Sequence, residues 1–167
     1  MNLLVRLLWK FLTLPLRPRL SFLDPSRIHL RVWPTDLDIN LHMNNGRYLT
    51  VMDLGRLDLT FRCGLGGLLF KRRWRPVVGA ARIRFRRSLD PFERYALETR
   101  LLGWDGKWLY LGQRFLKRDG DLAAEAIVRA VFLGSGGTVP PAEVLEALGI
   151  EAESPALPEG LQDWTGA

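Results

Sequence analysis

The spacing of apolar and polar residues changes several times along this chain, and each change marks an element. Residues 27–34 alternate Ile28, Leu30 and Val32 with Arg27, His29 and Arg31, which predicts a half-buried strand stopped by Pro34. Residues 35–46 follow neither period and are rich in Asp and Asn, so they read as a loop. From Asn45 to Cys63 the pattern turns helical. Tyr48, Leu49, Val51, Met52, Leu54, Leu57, Leu59 and Phe61 leave little of the circumference polar, and a helix apolar on most sides is expected to be buried on most sides. Gly64 to Gly67 and the basic run 71–75 read as a connection.

Period two then takes over. Val77, Gly79, Ala81, Ile83 and Phe85 alternate with Val78, Ala80, Arg82, Arg84 and Arg86, a strand with one apolar and one basic face. Residues 93–104 and 107–118 read as two strands joined at Asp105-Gly106, residues 122–133 as the last, and 141–148 as a short helix closed by Gly149. One antiparallel sheet wrapped around one nearly all-apolar helix satisfies both patterns, an α+β class. The predicted organisation is an amphipathic helix in residues 1–20, one domain over 21–150 and an acidic tail over 151–167.

The first segment, LLVRLLWKFLTLPL over residues 3–16, is apolar apart from Arg6, Lys10 and Thr13, which share one helical stripe. It is too short and too charged to span a bilayer, which takes about 20 apolar residues, and it lacks a convincing signal-peptide cleavage site. Two readings stay open. In one, the helix lies at a membrane surface through residues 2–17, with Arg6, Lys10, Arg17 and Arg19 at anionic headgroups. In the other, it packs on its own fold or on a subunit partner.

Charge is distributed unevenly. Residues 1–118 hold 23 Lys and Arg against 9 Asp and Glu, whereas residues 119–167 hold 1 against 9. A basic body predicts an anionic partner, or else it is neutralised by its own tail. Residues 59–89 contain nine bases and no acid, and alternation puts Arg82, Arg84 and Arg86 on one face. A single cysteine, Cys63, and two histidines, His29 and His42, argue against a disulfide and a Cys/His metal site, and Cys63 reads as a buried, inert thiol. A nucleic-acid binder would fit the charge and the aromatics Trp104, Trp108 and Tyr110, but no RNA-recognition motif accompanies them, so no nucleic-acid partner is expected.

The segment Asp36-Leu37-Asp38, followed by His42-Met43-Asn44-Asn45 and Tyr48, resembles the signature of hotdog-fold thioesterases of the 4-hydroxybenzoyl-CoA type. Arg62-Cys63-Gly64, Arg86-Arg87-Ser88-Leu89, Leu101-Leu102-Gly103-Trp104-Asp105 and Leu157-Pro158 extend the resemblance to the thioesterase superfamily member six family. The resemblance implies a hotdog fold, acyl-CoA thioesterase activity without a cofactor or metal, and a homodimer or homotetramer with sites at the subunit interface. A cytoplasmic protein is expected, with contact at the inner face of the membrane under the surface-helix reading. Asp38 takes the position of the catalytic carboxylate, and the carbonyl-polarising backbone N–H maps to Asn45. One departure stands out. The family often has Gly three residues after that Asp, and this chain has Leu41, which predicts a loop of different shape.

Thioester hydrolysis needs a carboxylate near the carbonyl carbon, to attack or to activate water, and donors near its oxygen. A loop carrying Asp38 into the start of a buried helix can deliver both. Asp36 reads as structural. His42 either orients Asp38 or contacts substrate, or it is simply structural. Asn44 and Asn45 read as helix caps next to the substrate, and Tyr48 as core or as a wall of the acyl pocket. Asp53 and Arg56 read as a structural pair. Arg82, Arg84 and Arg86 suit the phosphates of CoA, with a solvated basic face as the bland alternative. A non-catalytic acyl-CoA or lipid-binding protein at the membrane surface is the competing function.

Overall fold

Strand β1 (Ser26–Arg31) alternates buried and exposed side chains as its sequence predicts, and Pro34 turns the chain into a single 3-10 turn, Pro34–Asp36. The long helix α1 (Asn45–Arg62) follows. The computed structural model describes residues 17–158, together with Val5, Arg6, Leu12, Thr13 and Leu161. Most of the predicted amphipathic helix and the end of the acidic tail therefore lie outside the described residues. After α1 come α2 (Leu65–Arg72), β2 (Arg75–Phe85), β3 (Arg94–Trp104), β4 (Leu109–Lys117), β5 (Leu122–Gly134), β6 (Gly137–Val139) and α3 (Pro141–Leu148). The strands form one antiparallel sheet in the order β1-β3-β4-β5-β2, with β6 on β5.

Helix α1 lies against one face of this sheet. Its buried Tyr48, Val51, Met52 and Leu54 pack with Ile28, Leu97, Phe115, Ala124, Ala126 and Val128. Gly55 lets the two layers approach. A Cβ there would stand 2.4 Å from Thr99 Oγ1, so any larger residue would push the helix off the sheet. The contact is fixed by polarity as well as by packing. The fully buried Gln113 amide donates to the Met52 carbonyl and to Thr99 Oγ1, each at 2.9 Å, and its oxygen accepts from Arg56 Nη1 at 2.8 Å. A buried amide with its donors and acceptor satisfied costs little and sets a single register between helix and sheet.

Three expectations need correction. The segment after Gly64 is a helix, α2. Its two glycines weaken helix propensity, but Leu65 and Leu69, four apart, bury one face in a second core with Trp74, Phe132 and Val144. The clean alternation expected in β2 is interrupted. Val78 pairs with Ala130 and Ala80 with Arg129, so Gly79 is looped out and the phase of the strand flips there. Pairing with Ala130, Val128 and Ala126 then puts Val78, Ala81 and Ile83 on the face toward α1. Finally, α1 is buried on one side only. Leu49 is 43% exposed, and Leu57 and Phe61 face an open cleft.

The tail begins within the fold. Ser154 Oγ accepts from the Trp104 N–H at 2.8 Å, and a Cβ on Gly103 would stand 2.8 Å from Leu157. Among the described residues, no helix is long and apolar enough to cross a membrane.

Candidate active site

The loop between the 3-10 turn and α1 is a tight, internally bonded arch. Leu37 and Met43 bridge as antiparallel partners, and the Asp38 N–H donates to the His42 carbonyl at 2.9 Å. The Met43 N–H is tied to the Leu89 carbonyl at 3.0 Å, which anchors the arch to the segment beyond β2. Asp38 is half-buried. Its Oδ1 accepts from the Asn40 N–H at 2.9 Å and more weakly from the His42 N–H at 3.4 Å. That is an Asx turn, and among the described residues no donor occupies Oδ2. His42 itself is exposed and joins the arch through its backbone.

Leu41 sits at φ 59°, the left-handed region that an L side chain enters at a cost of about 1–2 kcal/mol. The missing glycine therefore does not prevent a left-handed turn here. The surrounding hydrogen bonds hold Leu41 in the conformation a glycine would adopt freely, and its side chain is 66% exposed.

Asp36, two residues earlier, is 1% exposed. Its carboxylate is bonded to Arg6, lies 3.2 Å from Arg47 Nε and accepts from the Trp33 N–H at 2.9 Å, while its carbonyl accepts from the Asn44 N–H at 2.8 Å. It is the structural acid of the pair, as the sequence reading expected. Neither Arg partner was foreseen there. Arg6 lies 30 residues away in the chain, so no local pattern signals the contact. Arg6 is 3% exposed and turned toward Asp36, whereas Val5 and Leu12 of the same segment are exposed. Arg17 is likewise bonded to Asp58 of α1.

Asn44 caps α1, its Oδ1 accepting from the Gly46 N–H at 2.9 Å. Asn45 is the first helical residue, and its N–H has no acceptor among the described residues. This free donor lies at the positive end of an 18-residue helix, on the same arch as Asp38. Tyr48, one turn in, is 2% exposed and stacks edge-on to Phe85 and Phe115 with centroids 5.1 and 4.8 Å away. Burial raises its hydroxyl pKa to about 12. Burial also raises the Cys63 thiol, which leaves that sulfur unactivated.

Arg82, Arg84 and Arg86 are not gathered with Asp38 within one chain. Arg84 faces Glu125 across β2 and β5, on the side of the sheet turned away from α1. Arg86 Nη2 is 2.7 Å from Glu125 Oε1, and Arg84 Nη1 is 4.0 Å from the same oxygen. Sequence reasoning missed a cleft of about 810 Å³. It lies between the far half of α1, α2 and the start of β2, and its apolar walls include Leu57, Phe61, Leu69, Phe70, Trp74 and Val78. Its signal was the surplus of apolar positions on α1, which the sequence reading assigned to burial.

Comparison with known families decides the relationship, because a family model described as the thioesterase-like superfamily matches residues 32–165. The chain belongs to that superfamily. It is 40% identical over 140 residues to protein THEM6 of Danio rerio, an alignment covering 82% of this chain and 67% of that protein. Among solved structures, it resembles the YbaW probable thioesterase of Escherichia coli with a TM-score of 0.69 at 22% identity, covering 73% of this chain and 95% of that one. It also resembles BH1999, a gentisyl-coenzyme A thioesterase, with a TM-score of 0.62 at 19% identity, covering 74% and 99%. The antiparallel sheet curled on α1 is thus the hotdog fold expected from the sequence resemblance.

Proposed function

We propose that this member of the superfamily hydrolyses acyl-CoA thioesters, with Asp38 as the carboxylate that attacks or activates water and the Asn45 N–H as donor to the carbonyl oxygen. The observation that carries the reading is their placement on one arch. Asp38 keeps Oδ2 without a donor, and the free N–H at the start of α1 supplies partial positive charge where an oxyanion would develop. His42 and Asn44 shape the arch and line the approach to it. Tyr48 backs the site from the core.

The working unit is a homodimer or a dimer of dimers. Strand β2 ends the sheet with its outer edge unpaired, and Val77, Val78 and Phe85 on it are 39%, 45% and 41% exposed. An unpaired 11-residue apolar edge beside an open apolar cleft is a surface that a second copy covers well. Antiparallel joining at β2 brings the cleft of one chain beside the α1 start of the other, because the cleft takes in Pro76–Val78 while Phe85 touches Tyr48. The acyl group then occupies the partner's cleft, and Arg82, Arg84 and Arg86 reach CoA phosphates across the joint. Acyl-CoA as substrate favours a cytoplasmic setting. Peripheral membrane contact through residues 2–17 would run through apolar side chains such as Val5 and Leu12, which are 51% and 65% exposed.

The deciding experiment is Asp38→Asn, which keeps shape and hydrogen bonding but removes the charge. Turnover of an acyl-CoA panel should fall by at least about 10²-fold, with acyl-CoA binding retained in calorimetry. Unchanged turnover ends the assignment. Wild-type binding without turnover on any acyl-CoA leaves the non-catalytic reading.

A further inference from the structure

A second group of basic residues lies at the other end of the sheet from β2, on and beside β1 and β3. Arg86 and Arg84 share Glu125, and Arg87 is bonded to Asp121. Along β1 and β3 the situation is reversed. Arg31 and Arg94 are direct cross-strand partners, and Arg118 follows Lys117, which is paired with Tyr95. Like charges opposed across an antiparallel pair are destabilising unless something neutralises them. Among the described residues, no carboxylate bridges Arg27, Arg31, Arg94 or Arg118. Glu98 stands opposite Arg27 in register, but its carboxylate is turned to Arg114 at 4.0 Å, and Glu93 is taken by Lys117 at 3.1 Å.

These side chains line a cleft of about 650 Å³ whose walls carry Arg6, Arg27, His29, Arg31, Arg94 and Arg118 and, among the described residues, no acidic one. A second feature points the same way. Arg6 is 3% exposed and spends one nitrogen on Asp36, yet its Nε and Nη1 are buried without an acceptor, as is the Tyr95 hydroxyl on the same wall. Buried donors that meet no acceptor are costly, and these lie at a cleft whose rim arginines meet no carboxylate among the described residues, a setting that favours an oxyanion. Trp33 on the wall adds a flat apolar surface for whatever the anion is attached to.

We infer that the cleft between β1, β3 and the end of β4 is a phosphate-binding site, taking the phosphate or diphosphate of a larger ligand on Arg31, Arg94 and Arg118 above Arg6. This chemistry comes from either the nucleotide end of CoA or the headgroup of an anionic phospholipid. The site does not depend on the thioesterase reading, and it is separate from the Arg82–Arg86 face.

The probe is inorganic pyrophosphate, titrated into the full chain by calorimetry at low salt, where screening is weak. Wild type should bind it. Arg31→Ser with Arg94→Ser should weaken binding at least about tenfold, while Lys71→Ala, an exposed base in the last turn of α2, should bind like wild type. If the double variant melts early, Arg118→Ser, beyond the end of β4, takes its place with an expected loss of about threefold. Displacement of pyrophosphate by CoA assigns the site to the nucleotide. Displacement only by phosphatidylcholine vesicles containing phosphatidic acid, and not by phosphatidylcholine alone, assigns it to a headgroup. No binding by wild type, full binding by the variants, or an equal loss in Lys71→Ala overturns the inference.

Discussion

Asp36 and Asp38 are two residues apart on one arch and live in opposite surroundings. Asp36 is sealed in, its oxygens spent on Arg6, Arg47 and the Trp33 N–H. Asp38 is half in solvent, with one oxygen used in a turn. The first holds the arch against the start of α1, and the second is left able to act. Under the proposed function, such a division keeps the acting carboxylate on a fixed base. On that reading the stabilising charge and the reacting charge are separate groups, so neither role compromises the other.

The sharpest way to break this contrast is Asp36→Asn. Removing one partner of a buried ion pair leaves Arg6 and Arg47 facing an uncharged group, and thermal or denaturant unfolding should show a loss of about 3–5 kcal/mol. Asp38→Asn should change stability by no more than about 0.5 kcal/mol, because an exposed turn can keep its hydrogen bonds through the amide oxygen. Comparable losses in the two variants would remove the distinction.

Alkaline titration should also strike the buried half. Tyr95 lies beside Arg6 and Asp36, and burial raises its pKa. Tyr48 is raised to about 12 by burial, and nearby acids add to the shift. An acid whose folded pKa lies above its unfolded value of about 10 contributes stability that is full below pH 10 and is lost as pH rises through the folded value. For Tyr48 this amounts to at most about 3 kcal/mol between pH 10 and about 12. Tyrosinate absorbance should therefore appear together with unfolding, followed by circular dichroism. Absorbance that rises while the fold persists would contradict the burial of both rings.

Asn44→Ala tests the junction between the arch and α1. Loss of the cap to Gly46 should cost about 1 kcal/mol, with turnover falling if the Asn45 N–H is displaced. The smallest effect belongs to Leu41→Gly. Glycine relieves the strain at φ 59° but loosens the unfolded chain, so stability should move by only a few tenths of a kcal/mol. A loss beyond about 1 kcal/mol would show that the exposed Leu41 side chain makes contacts of its own.

Much of this architecture was legible along the chain. The alternation of β1, the Asp105-Gly106 turn between β3 and β4, and the length of α1 came through because their signals are local. The helix after Gly64 did not, since Gly66 and Gly67 argue against a helix until Leu65 and Leu69 find the second core. The phase of β2 was misread for a similar reason. A bulge at Gly79 leaves no mark in a run of small residues, and only pairing with β5 reveals it.

The site divides along the same line. Sequence by itself determined which residues stand on the arch, because Asp36, Asp38, His42, Asn44 and Asn45 lie within ten positions and their order fixes their neighbourhood. It also determined that α1 would be too apolar for a lone surface helix. Only the tertiary structure decided which acid is buried, since that depends on Arg6 arriving from 30 residues away. It also decided which arginines are free. Arg84 and Arg86 look available in a stretch without acids, but Glu125 on the neighbouring strand shares them, whereas the scattered Arg31, Arg94 and Arg118 line one cleft and meet no carboxylate among the described residues. Periodicity sets what a residue's own strand or helix does with it. Charge balance depends on whichever strand lies alongside, and that is set only when the sheet assembles.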